Sequence, residues 1–452
     1  MGNILSLTIF LPLLGATILA IFLRGDDDAA QSNAKWVALV TTSTTFVSSL
    51  FIITNFDPAD TGFQLVEQRD WILGLQYKVG VDGVSVLFVM LTTFLMPLVI
   101  GACWDMRQRV KEYMIAFMLL ETMLLGAFLA LDIVLFYLFA EACLIPVFLI
   151  IGIWGGAHRV QAGFKFFLLA LCGSAAMLLA FVAMFDAAGS TDVAVLLDHS
   201  FDPQSVNLAG SAVTGGLQTL LWLALFAAFA IKMALWPLHT WFPDAEEQAP
   251  SAGSIVMAAL LAKVGGYGLL RFLLPMLPVG TEVMAPFVLT LAAVAIVYAA
   301  LVALLQDDMK KVIAYGAVAH MGYVTMGVVS LNQQGLDGAI FHLISHSLIV
   351  TALFVCMGAL HHRMETTQIS AFGGITKRMP SFALTLMFFL MASAGLPGTA
   401  GFVGPFLSIV GVFQVNTWVA VAAAVGIVLS GAYAVGLFRR VMFGDLIKES
   451  LK

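Results

Sequence analysis

The chain has 452 residues, 61% of them apolar and only 11% charged, with a mean hydropathy of +0.99 and a net charge of −6. Soluble domains carry roughly 25% charged residues, so this composition excludes a soluble globular or a disordered protein, and the acidic balance gives no reason to expect nucleic acid. Four cysteines (Cys103, Cys143, Cys172 and Cys356) lie unpaired in or beside apolar stretches, without a CxxC pair or a disulfide framework.

A bilayer span needs roughly 20 mostly apolar residues. Thirteen stretches qualify, near 4–23, 35–54, 84–104, 112–131, 133–153, 161–185, 217–237, 251–274, 283–305, 311–331, 337–359, 380–412 and 416–438. Met1-Gly2-Asn3 runs straight into the first of them, with no basic stretch and no small-residue cleavage site, so it does not read as a cleaved signal. Gly2 and Ser6 match the myristoylation pattern formally; an adjacent span makes a lipid anchor redundant. Two stretches, 55–81 and 186–216, read as polar loops, the second carrying Asp192, Asp198 and Asp202.

Basic residues set the orientation. Arg24 and Lys35, Arg107, Arg109 and Lys111, Arg159 and Lys165, Lys310 and Lys311, Arg363, Lys377 and Arg378, and Arg439, Arg440, Lys448 and Lys452 all fall on one side. The opposite loops carry Arg69, Lys78 and Arg271. The positive-inside rule then puts the N-terminus outside and the C-terminus inside.

Two spans contain a mid-membrane proline, Pro237 in the seventh and Pro397 in the twelfth. Each holds the fourth place in a block of five, spans 4–8 and 9–13. A five-span unit repeated in tandem must insert upside down, so the spacing predicts two inverted repeats, each with one broken helix, as in transporters. Proline as a mere kink is the plainer alternative. The expected architecture is an all-α polytopic membrane protein with about 13 transmembrane helices. Residues 1–111 form helices 1–3, 112–274 and 283–438 the two repeats, and 439–452 a tail.

A charge at the bilayer centre costs roughly 2.5–3.5 kcal/mol on insertion scales. Glu121, Glu141, Lys232, Lys263, His320, His342 and His346 all lie within predicted spans. Glu141 and Lys232, on separate helices of one block, suggest a pair. Burial favours the neutral form of each group and opposite charge the ionised form, so a pair held between the two exchanges a proton when its partner moves. Lys263, His320 and His346 extend this into a chain, since imidazole titrates near neutrality. Glu121 suits a structural partner of a neighbouring helix equally well. His342 lies nearer its helix start and reads as interfacial; it shares a face with His346, but no third ligand is evident and no metal site is expected. Asp132 reads as a helix-boundary residue, and Lys165 and Arg271 as snorkelling. No nucleotide loop, haem pair, iron–sulfur cysteines or nucleophile elbow is present, which places any redox chemistry elsewhere.

Several longer motifs then stand out. Residues 232–245 (Lys-Met-Ala-Leu-Trp-Pro-Leu-His-Thr-Trp-Phe-Pro-Asp-Ala), with Ala249-Pro250-Ser251-Ala252-Gly253-Ser254, resemble the signature of the antiporter-like subunits of respiratory complex I. Residues 263–272, Val81-Asp82-Gly83-Val84-Ser85, 151–156, 308–315, Ala319-His320-Met321-Gly322 and Gly395-Leu396-Pro397-Gly398 resemble its chain M (mitochondrial chain 4) branch. The resemblance spans essentially the whole chain. It implies a proton-translocating membrane subunit of an NADH:quinone oxidoreductase, in a bacterial or mitochondrial inner membrane, beside other antiporter-like, membrane and peripheral subunits. NADH, flavin, iron–sulfur clusters and quinone would then belong to those other parts, with no cofactor in this chain. Glu141 resembles the family's helix-5 acid, Lys232 its partner lysine, Lys263 the central lysine, and His320 and His346 the histidines of the second half-channel.

Three departures accompany this. Gly401-Phe402-Val403-Gly404 is followed by Pro405 where the family has a glutamate thought to serve the outer half-channel. The family's proline two residues after the broken-helix lysine is Ala234. The chain ends at Lys452, where the branch usually continues to a fourteenth helix. A subunit of a multi-subunit cation/proton antiporter, or an assembling homologue that does not pump, are the competing readings.

Overall fold

The computed structural model describes residues 3–25, 27–71, 76–201, 207–208, 211–212 and 216–445. Gly2 of the myristoylation pattern, and Lys448 and Lys452 of the tail, lie outside them. The chain forms two compact units, Met1–Ala228 with Arg271–Gly280, and Phe229–Leu270 with Thr281–Lys452.

In the first unit, α1 (Ile4–Phe22) packs on α2 (Asp28–Thr54) and on α4 (Val110–Leu129), and α2 also on α3 (Ser85–Ala102). The stretch 55–81 is not simply a loop: β1 (Gln64–Asp70) and β2 (Gln76–Val81) pair as an antiparallel hairpin. Buried Val79, Gly80 and Val81 explain it, since a Cβ on Gly80 would fall 2.5 Å from the Leu131 side chain. Buried Glu67 on β1 accepts from Leu5 N at 2.7 Å and Ser6 N at 3.1 Å, satisfying free amides at the start of α1. The chain continues through α5 (Ile133–Ala142), α6 (Leu144–Trp154), α7 (Arg159–Ala188) and α8 (Val193–Asp198). The last is a short helix inside the expected loop 186–216, capped by Asp192, which accepts from Ala194 N at 2.9 Å. Asp192 also pairs with Lys78. The helix α9 (Gly216–Lys232) then carries the chain into the second unit.

That unit contains α10 (Trp241–Gln248), then α11 (Ser251–Val256) and α12 (Ala262–Gly268), joined through a π turn at Met257–Leu261; a second π turn at Leu269–Leu273 leads the chain back to α13 (Leu274–Met276), which belongs to the first unit. The helices α14 (Pro278–Leu304), α15 (Met309–Val329), α16 (Gln333–Met364), α17 (Pro380–Ser393), α18 (Ala400–Phe413) and α19 (Thr417–Met442) follow. Helix α16 packs on α15 and, through glycines, on α18. A Cβ on Gly338 would lie 2.6 Å from Ser408 N, and one on Gly404 2.5 Å from the His342 Cβ.

Among the described residues, eleven helices are long and apolar enough to cross a membrane. Three shorter apolar helices, α9, α17 and α18, fall on the two spans expected to be broken.

Two N-terminal latches share one construction. Asp132 caps α5, accepting from Val134 N at 2.9 Å and Leu135 N at 3.0 Å, while Thr191 donates its hydroxyl to the second oxygen. Main-chain bonds Ile133 N to Thr191 O and Val193 N to Leu131 O, each 2.9 Å, close the loop. Asp308 caps α15 in the same way, accepting from Lys310 N at 2.8 Å and Lys311 N at 3.2 Å, with the Thr367 hydroxyl on its other oxygen. There the loop is closed by Met309 N to Thr367 O at 3.0 Å and Ile369 N to Asp307 O at 2.8 Å. The expectation that Asp132 marks a helix boundary holds.

Candidate functional site

The site is built around the two helix breaks. At the end of α9, Ala234 N reaches Ile231 O at 3.1 Å and Leu235 N reaches Ala230 O at 2.8 Å. Ala234 takes φ +56°. This is the Schellman closure that satisfies orphan carbonyls at a helix end. Proline is excluded there, because its ring fixes φ near −65°, so the departure at Ala234 changes how the helix ends rather than whether it ends. At the end of α17, Gly395 N reaches Ala392 O at 3.2 Å and Leu396 N reaches Met391 O at 3.0 Å, with Gly395 at φ +80°. Both breaks re-enter through a tight turn, Leu238 N to Leu235 O at 2.8 Å and Thr399 N to Leu396 O at 3.1 Å.

Lys232 is buried in the last turn of α9. Against that turn lies α12, and it can approach because Gly265 has no side chain: a Cβ there would fall 2.6 Å from Phe229 O and 2.8 Å from Met233 N. Two residues before Gly265, and between the two π turns, is Lys263. Such turns are frequent at functional sites. Its side chain is fully buried, and Nζ donates to Ala258 O at 2.7 Å and lies 2.9 Å from His346 Nδ1 on α16.

From His346 the imidazole ring centres step 4.8 Å to His320 on α15, whose Nδ1 lies 3.2 Å from His342 Nε2. Ser393, in the last turn of α17, brings its hydroxyl to 3.4 Å from His320 Nε2. The four side chains Lys263, His346, His320 and His342 are thus one contiguous buried run. His342 is not interfacial: it is 1% exposed, because Gly404 of α18 packs directly on it. The spacing along α16 hid this, since the burial is supplied by another helix. Pro405 is buried in α18 beside that contact.

Glu141 lies in the first unit, half-buried in the last turn of α5, where Ser174 of α7 donates its hydroxyl to the carboxylate. The helix is offset there: Cys143 separates α5 from α6, and Pro146 offers no amide to the carbonyl four residues earlier. Glu121 is fully buried in α4, and neither carboxylate oxygen accepts a hydrogen bond among the described residues. Asp82 and Arg271, from two of the motifs noted in the sequence, form an ion pair, with the guanidinium 5.1 Å above the Phe63 ring. Burial pushes the Asp82 carboxyl up, but the Arg271 charge and hydrogen bonds outweigh it and hold the group below the usual carboxylate range.

Glu246, Lys310 and His239 were not among the site residues expected from the sequence, although all three are buried. They lie in or beside short segments between spans, read as loops, yet Glu246 follows Phe242 by one helical turn and so shares its inward face. No group of three or more His, Cys, Asp or Glu suited to a metal occurs among the described residues.

A family model described as NADH:quinone oxidoreductase/Mrp antiporter, TM, matches residues 130–430. The chain is 60% identical to NADH-quinone oxidoreductase subunit M of Rhodobacter capsulatus, an alignment covering 100% of this chain and 88% of that one. It is 42% identical to NADH-ubiquinone oxidoreductase chain 4 of Marchantia polymorpha, over 98% and 87% of the two chains. The structure of respiratory complex I from Thermus thermophilus with bound NADH contains a chain of the same fold, with a TM-score of 0.84 at 28% identity, covering 98% of this chain and 89% of that one. With its integral membrane helices, the chain belongs to the family of antiporter-like membrane subunits of NADH:quinone oxidoreductase, in its subunit M branch.

Proposed function

We propose that the chain carries protons across the membrane through Glu141, Lys232, Lys263, His346, His320 and His342, with Glu121 as an accessory carboxyl, while electron transfer takes place in other subunits of the oxidoreductase. The observation that carries this is the buried run from Lys263 to His342, with Nζ to Nδ1 at 2.9 Å and imidazole to imidazole at 3.2 Å. Neutral imidazoles in contact relay a proton by accepting on one nitrogen and donating from the other. A run of such groups inside a membrane costs too much to persist as packing alone. NADH, flavin, iron–sulfur clusters and quinone are assigned to the peripheral and other membrane subunits, and neighbouring antiporter-like subunits are the lateral partners. The N-terminus faces outside and the C-terminus the cytoplasm or matrix.

Two inverted repeats underlie the route, as the proline spacing suggests. In support, the latches at Asp132 and Asp308 share their cap, threonine and main-chain hydrogen bonds at one constant offset, and the two breaks share the same Schellman closure. The basic-loop assignment puts the two latches on opposite membrane faces.

The test is proton translocation per NADH by the intact complex in vesicles. Lys232→Ala and Glu141→Gln each lower it strongly, and the double variant loses less than the sum, because each single change strands the other charge. Additive losses refute the pairing. A tag after Lys452 should be reachable only from the cytoplasmic or matrix side; labelling from the other side refutes the orientation. The observation favouring a non-pumping homologue is Pro405, buried where the family resemblance expects a carboxylate.

A further inference from the structure

Glu246, on the half-helix α10 that follows the first break, is fully buried, and neither of its carboxylate oxygens has a hydrogen-bond partner among the described residues. The Ser254 hydroxyl donates to the Glu246 main-chain carbonyl at 3.2 Å and also lies near enough to the carboxylate to favour its ionised form, short of a well-formed hydrogen bond to either oxygen. Two buried cations feel the carboxylate electrostatically, Lys263 and Lys310. They differ in place. Lys263 is the head of the buried run just described. Lys310 is in the first turn of α15, behind the Asp308 cap, with Nζ donating to Ala249 O at 2.6 Å. Next to it Lys311 pairs with Glu247 at 2.9 Å, each of the two about a quarter exposed. A buried carboxylate therefore lies within the electrostatic reach of two cations, one at the start of α15 and one on α12, without a direct ion pair to either among the described residues.

A carboxylate without a donor in such a place is costly to keep ionised. Leaving it as a passive counter-ion calls for firmer hydrogen bonds than the approach of Ser254 alone supplies. A group that alternates between acid and carboxylate needs its oxygens open.

We propose that Glu246 is the proton-loading group of this unit. Its carboxylic acid gives the O–H proton to the Lys263 amine, leaving a carboxylate beside an ammonium. The carboxylate then takes up its next proton from the face where the Asp307–Lys311 turn lies. The inference rests on the reading of Lys263 as part of the proton route. The charged groups around Glu246 are Lys263 and Lys310; Asp308 and Glu247 act on Lys310, which in turn acts on His361.

The experiment compares Glu246→Gln, Glu246→Asp, Glu246→His and Lys263→Ala in the intact complex, measuring assembly, and proton translocation per NADH in vesicles across a pH series. The inference expects assembled Glu246→Gln to lose translocation several-fold. It expects Glu246→His to retain most of it with a displaced pH profile, because imidazole is also titratable but near a different pH. A counter-ion role gives the opposite pattern, with rescue by Asp and none by His. Unimpaired Glu246→Gln beside impaired Lys263→Ala overturns this inference alone; if both are unimpaired, the proton route itself fails. Should Glu246→Gln not assemble, Glu246→His decides. An assembled His variant with a displaced profile supports proton loading, and one with an unchanged profile, or none assembled, overturns it.

Discussion

The two helix breaks have one backbone and two chemistries. Both end a membrane helix with the same pair of main-chain bonds and a residue of positive φ, Ala234 in one and Gly395 in the other. At equivalent places before that residue, the first break carries Lys232 and the second Ser393. On the half-helix beyond, the first carries buried Glu246, while the second carries Gly404 and Pro405 packed beside His342. A helix end held by its own main chain leaves the side chains around it free to diverge. The break is therefore a shared main-chain scaffold, and its chemistry depends on the few titratable groups placed beside it.

Replacing glycine at the breaks tests the scaffold most severely. A Cβ on Gly401 would lie 1.8 Å from Ala392 O, and one on Gly265 lies 2.6 Å from Phe229 O. Main chain cannot yield as a side-chain tip can, so Gly401→Ala should cost about 3 kcal/mol or more and Gly265→Ala somewhat less. Thermal unfolding of the extracted complex reads both. If Gly265→Ala were the more damaging of the two, the second break would not be the tighter one.

The second prediction exchanges the chemistry and keeps the backbone. Pro405→Glu supplies the carboxylate that the family resemblance expects, beside His342, whose Nδ1 has no partner among the described residues. Proton translocation per NADH should rise with assembly unchanged. Full translocation with Pro405 in place, unaltered by Pro405→Glu, would sink this prediction and leave His342 passing its proton to water directly.

A smaller effect isolates the one backbone difference. An L-residue in the left-handed region costs about 1–2 kcal/mol, and Gly395 avoids that cost where Ala234 does not. Ala234→Gly should therefore stabilise the complex by about 1 kcal/mol, less whatever the added freedom of the unfolded chain removes. An unchanged or lowered midpoint in thermal unfolding would mean that the first break is not strained at Ala234.

Much of this was legible from the sequence, for identifiable reasons. Burying a charge in lipid is so costly that Lys263, His320 and His346 announce themselves wherever they interrupt an apolar run, and Pro237 and Pro397 mark the breaks because proline lacks the helical donor. What was hidden depends on neighbours remote in sequence. His342 is buried by Gly404, more than one helix away; the hairpin at 64–81 is held by Leu131 and by the start of α1; Glu246 lies on a helix of only eight residues, too short for periodicity to separate from a loop. Tertiary contacts decide such positions, and local pattern carries at most a faint trace of them, as in the one-turn spacing of Glu246 from Phe242.

The two latches extend the comparison to the smallest effect, and here pH supplies the test. Asp132 and Asp308 make the same cap and threonine hydrogen bonds, Asp308 adding a long one from Gln368 Nε2 at 3.4 Å, and replacing either by Ala should cost about 1 kcal/mol as a lost helix cap. Asp132 has a further property. Burial pushes its carboxyl above the usual carboxylate range, against the hydrogen bonds from Thr191, Leu135 and Val134, and the nearby Asp192 charge adds to the rise. With the folded value above the unfolded one, near 4, the neutral acid is the form the fold prefers. Its stabilising contribution is complete below the unfolded value and is lost as pH rises through the folded value. Asn caps a helix as well as Asp and carries no charge. At neutral pH, Asp132→Asn should thus equal or exceed the native chain in thermal stability, and as pH falls towards about 4 the native chain should gain on it. A native chain that instead loses ground to Asp132→Asn on acidification would show that the hydrogen bonds outweigh burial, and that the Asp132 latch works as an ionised cap.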